Sequence, residues 1–272
     1  RRHRLDIYRP RHRVAGAPVF LYFHGGAWIF GDKREQGLPL MDYLASRGWV
    51  CVTANYGLSP RVAFPEHLVD CKRALTWVRE HISNYGGDPD FVAVGGGSAG
   101  GHLAALVGLT PGDPEYQPGF EAADTSVAAC VPFYGVYDFT NRDGLRGRGL
   151  GRLLERTVMK ETLSGSRQAY ERASPIDRIT GDAPPFLVVH GANDTLVPVA
   201  EARTFVERLR RSSAAAVSYA ELPGAQHAFE IFPSIRTAHV VAGVADFLAV
   251  LHADRGAGIG GERSSGGRRQ AR

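Results

Sequence analysis

The chain is short of the residues that build disulfide frameworks, metal centres and membrane spans. Three cysteines occur in 272 residues, Cys51, Cys71 and Cys130, an odd number with no C-x-x-C spacing. Each lies in an apolar strand-like or helical run, which makes buried free thiols the expectation. Ten histidines are scattered without carboxylates at ligand spacing, so no metal site and no metal cofactor are expected. No uninterrupted apolar run approaches the roughly 20 residues that cross a bilayer, and no secretory signal pattern opens the sequence. No transmembrane segment is expected, and the expected location is cytoplasmic. Internal repeats are also missing.

The excess of positive charge is confined to the ends. Residues 1–13 carry a net +5 and residues 255–272 a net +4, which leaves −5 for the middle of a chain whose total is +4. That distribution excludes a nucleic-acid-binding surface on the globular part. The last stretch, 255–272, contains Ser264-Ser-Gly-Gly-Arg-Arg and reads as a basic, disordered tail. A hydrophobic content of 44% and a charged content of 22% are ordinary for one globular enzyme-sized domain, here residues 1–254.

Within that domain, apolar strand patterns alternate with helical ones, which predicts a mostly parallel sheet with helices on both faces. Strands are expected near 18–24, 49–55, 91–95, 127–134, 185–190 and 217–222. Helices are expected near 33–47, 66–84, 99–109, 198–212 and 233–252. Asp32 with Glu35 resembles a capping box for the first helix, and Pro198 suits a first-turn position in the fourth. Residues 138–183 interrupt the alternation. An insertion there, after the carboxyl end of a strand, is expected to form a small cap.

The chemistry is concentrated in four segments. Phe91-Val-Ala-Val-Gly-Gly-Gly-Ser98-Ala-Gly-Gly-His102 is a buried strand, a glycine cluster and the start of a small-residue helix. Ser98 sits in Gly96-x-Ser98-x-Gly100, where a sharp strand-to-helix turn would project its hydroxyl as a nucleophile. The alternative for this segment alone is a glycine-rich turn with Ser98 as a helix N-cap. Val19-Phe-Leu-Tyr-Phe-His24-Gly25-Gly26-Ala27-Trp28 runs a strand into a turn able to aim backbone N–H groups at an oxyanion. The N–H of Ala99, just after the serine, would complete that set.

Past the strand Pro185–His190 lies Asp194, placed to orient an imidazole. Asp182, before the strand instead of after it, is set aside. Past the last strand lies His227, the residue type whose proton exchange suits a general base. The chain order Ser98, Asp194, His227 is that of α/β-hydrolases and differs from the orders of chymotrypsin-type and subtilisin-type enzymes. Trp28 and Phe30 beside the donor loop, and Phe229 beside the base, are candidate walls of a substrate pocket, with core packing as the alternative.

Gly97-Ser98-Ala99-Gly100-Gly101 and His24-Gly25-Gly26-Ala27-Trp28 together resemble the hormone-sensitive-lipase-like branch of α/β-hydrolase esterases, particularly its bacterial carboxylesterases. Asn55-Tyr56-Gly57-Leu58-Ser59-Pro60 and Phe64-Pro65 fit the same pattern, as do the loops of Asp194 and His227. The likeness runs from about Leu5 to Leu251. It implies an α/β-hydrolase fold and a cofactor-free serine carboxylic-ester hydrolase acting on a small-molecule ester. It also implies Ser98, Asp194 and His227 as the triad, with Gly25, Gly26 and Ala99 as oxyanion donors.

The chain departs from the branch in two places: Gly97 stands where an aspartate is common, and Gly57 where an arginine is common. Relatives also carry a longer N-terminal segment that contributes to the cap, so this chain is read as a fragment or as having an unusually open pocket. An open pocket favours short to medium acyl chains. Other chemistries on the same residues are an amidase or formamidase and an acyltransferase. A non-catalytic receptor on this fold would be expected to have lost the histidine, which is present here.

Overall fold

A computed structural model describes residues 3–265, with side chains described for residues 3–255. Seven strands form one sheet: β1 (Leu5–Tyr8), β2 (Ala17–Phe23), β3 (Val50–Ala54), β4 (Gly87–Gly97), β5 (Ala129–Phe133), β6 (Phe186–Gly191) and β7 (Val217–Leu222). Their spatial order is β1-β3-β2-β4-β5-β6-β7. Every neighbouring pair is parallel except β1 with β3. The helices are α1 (Leu38–Ser46), α2 (Glu66–His81), α3 (Ala99–Leu109), α4 (Arg148–Leu153), α5 (Arg167–Arg172), α6 (Val199–Ser212) and α7 (Ile235–Ser265).

Helices cover both faces of the sheet, so its central strands read as continuous apolar runs rather than alternating ones. Alternate residues still part to opposite sides. Leu21, Phe23, Val52 and Val94 join a core beneath α2, α3 and α6. Phe20, Tyr22, Cys51 and Ala93 join a second core beneath α1 and α7. Helix α3 is apolar on every side and all eleven of its residues are buried, as a helix pressed against the middle of a sheet requires. It lies so close to the sheet that a Cβ at Gly100 would fall 2.0 Å from the Phe23 carbonyl oxygen.

Three local expectations need correction. Strand β1, which pairs antiparallel with β3 from Leu5↔Ala54 to Tyr8↔Cys51, was not expected. It is four residues long, half-buried and embedded in an arginine-rich segment, so its apolar pattern is faint. Helix α1 begins at Leu38, not near residue 33, because Gly37 is left-handed with φ 74°. Asp32 and Glu35 do pair, the Asp32 N–H donating to Glu35 Oε2 at 3.1 Å, but they close a turn ahead of the helix. In the fourth expected helix, Pro198 is the N-cap of α6 and not a residue of its first turn. Residues Ile235–Arg255 of α7 are long and apolar enough by length and composition to cross a membrane. In this fold Val240, Val241, Val244, Ala245 and Leu248 of that helix are buried against the sheet.

Helix α7 is followed to Ser265, and the rest of the segment read as a basic tail, 266–272, lies outside the described residues. The chain between β5 and β6 carries α4, a π-turn at Leu154–Val158 and α5. A buried Arg146–Glu201 ion pair at 3.2 Å ties it to α6, and the Phe64 N–H donates to the Val158 carbonyl. All three cysteines are buried and free.

Candidate active site

The loops that follow β2, β4, β5, β6 and β7 meet at one end of the sheet, because parallel strands leave all their carboxyl ends on the same edge. Ser98 stands between β4 and α3 with φ 56° and ψ −117°, a conformation that L-residues rarely adopt. Its N–H donates to the Phe133 carbonyl at 3.0 Å, and its carbonyl accepts the His102 N–H. Ser98 holds the N-cap position of α3, yet its side chain makes no capping hydrogen bond. The hydroxyl instead lies 2.9 Å from Nε2 of His227.

The other imidazole nitrogen, Nδ1, is 2.7 Å from Oδ2 of Asp194. Asp194 is itself locked in place. Its Oδ1 accepts the N–H groups of Leu196 (2.9 Å) and Val197 (2.8 Å), and His190 Nε2 lies 3.4 Å from Oδ2. Burial raises the pKa of the Asp194 carboxyl, but hydrogen bonds from His190 and His227 and the charge on His227 outweigh it. The group is held well below the usual carboxylate range. The N–H groups of Ala192 and Asn193 donate to the carbonyls of Leu222 and Ala225, tying the acid loop to the base loop. The structure thus brings together Ser98, Asp194 and His227, which lie far apart in the chain, and Asp182 takes no part.

The donor loop after β2 corrects one expectation. Gly25 does not offer its N–H to a ligand, because that N–H already donates to Gln36 Oε1 at 2.6 Å. The next two N–H groups, of Gly26 and Ala27, have no partner among the described residues. Neither has the N–H of Ala99, the first residue of α3, which has no intrahelical acceptor. The available set is therefore Gly26, Ala27 and Ala99. Gly26 has φ 115°, and Ala27 and Trp28 are left-handed too, at 49° and 61°. Tyr56 braces the loop from beneath, its hydroxyl donating to the His24 carbonyl at 2.8 Å and its ring stacked on the His24 ring. Gln36 was missed from sequence, since a lone glutamine in a polar loop has no motif to mark it.

The three candidate wall residues separate. Trp28 is 1% exposed and donates through Nε1 to His102 Nδ1 at 3.2 Å, so it belongs to the core and not to a pocket wall. Phe30 is 60% exposed at the rim of the donor loop. Phe229 is half-buried and meets Tyr134 edge-to-face at 5.4 Å.

Both departures from the resembled branch have local replacements. Where Gly57 lacks a side chain, Asp70 Oδ2 accepts the Gly57 N–H at 2.8 Å and lies 3.1 Å from His3 Nε2. A Cβ on Gly97 would come within 2.7 Å of the Tyr134 hydroxyl, so that phenol fills the space a longer side chain would take.

Residues 5–209 match the BD-FAE family. The chain is 54% identical over 260 residues to the probable carboxylic ester hydrolase LipM of Mycobacterium tuberculosis, covering 95% of this chain and 60% of that protein. It is 48% identical over 253 residues to esterase LipQ of the same organism, covering 92% and 60%. The chain therefore spans about three-fifths of the length of the curated relatives it matches. Among solved structures, it superposes on the propionate-bound esterase Est2 of Thermogutta terrifontis with a TM-score of 0.77 at 28% identity. That match covers 91% of this chain and 89% of the esterase.

Proposed function

Because the chain belongs to the BD-FAE family, in the hormone-sensitive-lipase-like group of α/β-hydrolases, we propose that it is a serine carboxylic-ester hydrolase. The hydrogen-bonded chain from Asp194 through His227 to Ser98, on a strained turn, is the observation that carries this reading.

In the first half-reaction His227 Nε2 accepts the Ser98 hydroxyl proton while Oγ attacks the ester carbonyl carbon. The carbonyl π-electrons move to oxygen, and the N–H groups of Gly26, Ala27 and Ala99 stabilise that charge. Asp194 holds Nδ1 protonated and stabilises the imidazolium. As the tetrahedral intermediate collapses, the C–O bond to the alcohol breaks and His227 protonates the leaving oxygen. Water then repeats the sequence on the acyl-enzyme, releasing the acid and restoring Ser98.

The substrate class is a short- to medium-chain acyl ester. The 28% identity with an esterase solved with propionate bound supports it. Residues 138–183 are assigned as a small cap beside the site.

Hydrolysis of p-nitrophenyl esters from acetate to palmitate by wild type, Ser98→Ala and His227→Ala tests this. Turnover with a pre-steady-state burst in wild type, lost in both variants and greatest at or below medium chain length, is expected. Undiminished turnover in either variant would refute the site, and rates rising through palmitate would refute the substrate class.

A further inference from the structure

Behind the base lies a side-chain pair that the ester-hydrolysis steps do not use. Glu230 follows His227 by three residues and is 2% exposed. Its Oε1 accepts a hydrogen bond from the Tyr134 hydroxyl, and its Oε2 is buried with no partner. No lysine or arginine forms an ion pair with it among the described residues. Tyr134, the first residue after β5, is 1% exposed and sits at φ 36°, a strained backbone for an aromatic residue. Its ring lies against the His227 imidazole, with centroids 4.6 Å apart. Its hydroxyl occupies the space left by the missing side chain of Gly97, the residue before the nucleophile. A glycine, a strained tyrosine and a buried carboxyl therefore depend on one another and touch the nucleophile's turn and the base at once.

We infer that Glu230 is a positioning residue for the base, acting through the Tyr134 phenol that it anchors against His227. This rests on the ester-hydrolase reading above. Two consequences follow from the contacts. The Glu230 bond holds the phenol in a rotamer that limits how far His227 can swing from Ser98. In addition, the charge state of the carboxyl acts across the tyrosine ring on the imidazolium that forms during acyl transfer. Burial raises Glu230 from the ordinary carboxylate value to about 7, against a lowering contribution from the Tyr134 bond, so its proton exchanges within the working range of a histidine base. The other ionisable groups facing this cluster are the Tyr22 phenol on β2 and Asp194 across the tyrosine. Once ionised, Glu230 accepts a stronger, charge-assisted bond from Tyr134 and favours the imidazolium.

The test is the pH dependence of kcat and KM for p-nitrophenyl butyrate with wild type, Glu230→Gln and Tyr134→Phe. Ionisation of Glu230 is expected to add about a five- to tenfold increase in wild-type kcat near pH 7 to the rise that accompanies loss of the base's own proton, the size set by a screened charge one ring away. Glu230→Gln retains the hydrogen-bond acceptor and is expected to keep the low-pH rate and the rise due to the base itself, without the added five- to tenfold contribution. Tyr134→Phe is expected to lose about tenfold in kcat with little change in KM and to move the inflection to higher pH. A Glu230→Gln profile that superimposes on wild type overturns the proposal.

Should Glu230→Gln fail to fold, the His227 ring-proton shifts of the wild-type protein carry the same information. Two titration steps support the coupling and a single step overturns it. This readout also separates the two readings. A wild type that hydrolyses no ester but shows two steps refutes ester hydrolysis and leaves the Glu230–His227 coupling standing.

Discussion

If Glu230 keeps its proton in the folded protein up to about pH 7, the same carboxyl must make stability depend on pH. Below about 4.5 the group is protonated in both folded and unfolded chains and contributes no difference. Between 4.5 and about 7 the unfolded chain releases the proton while the folded chain retains it. The native state therefore loses stability with every increment of pH in that window, and the loss is complete once pH passes the folded value. At about 1.4 kcal/mol per pH unit, the full window corresponds to ~3 kcal/mol. Glu230→Gln removes the ionisation but preserves shape and the acceptor for Tyr134. Relative to wild type, the variant is expected to be of similar stability at pH 4.5 and more stable by roughly 2–3 kcal/mol at pH 8. Equilibrium urea unfolding of both proteins at half-unit steps from pH 4.5 to 8 measures the difference directly. A difference that does not change with pH, or a variant that becomes the less stable protein as pH rises, would refute the placement of a neutral buried acid behind His227.

Three further outcomes follow from contacts already described. Gly97→Asp introduces the residue common in related esterases, yet its Cβ would meet the Tyr134 hydroxyl at 2.7 Å. It should lower kcat about tenfold and stability by ~1–3 kcal/mol, read by esterase assay and thermal unfolding. Gln36→Leu leaves the Gly25 N–H without its acceptor and loosens the donor loop. A loss of about ten- to a hundredfold in kcat/KM is expected from an unsatisfied buried donor, with Gln36→Glu close to wild type. Ser98→Gly relieves the positive φ at the turn, so it should unfold at higher denaturant, by about 1–2 kcal/mol, while showing no turnover.

The parts of this fold that were legible in sequence are those where one physical signal dominates. Most of the parallel strands announce themselves because burial on both faces demands apolar runs, whereas the edge strand β7 is half-buried throughout and alternates apolar residues with Ser218 and Glu221. Ser98, Asp194 and His227, which the fold brings within hydrogen-bonding distance, were expected together because each follows a strand at a turn, in a chain order tied to one architecture. What escaped depends on tertiary partners. Strand β1 is short and edge-placed, and the pairing that makes it a strand comes from β3, 40 and more residues away in the chain. The late start of α1 reflects a left-handed Gly37 that a helix-period pattern does not reveal. Gly25 looked like a donor because it sits in the glycine pair, and only the fold brings Gln36 to its N–H. Trp28 stood between pocket wall and core, and its partner His102, 74 residues away in the chain, decides for the core. Glu230 and Tyr134 carry no motif, and their relation exists only where the loops after β5 and β7 converge.

The three buried thiols make the molecule its own set of clocks. Cys51 belongs to the core beneath α1 and α7, whereas Cys71 and Cys130 belong to the core on the opposite face. Burial raises all three thiols above their ordinary value, so a disulfide reagent meets almost no thiolate until a layer opens. The order in which they are labelled under native conditions would therefore rank the opening of the two faces without any introduced probe. Labelling of Cys51 ahead of the other two would mean that the face carrying α7 peels away first, and simultaneous labelling would mean that the sheet loses both coverings in one event.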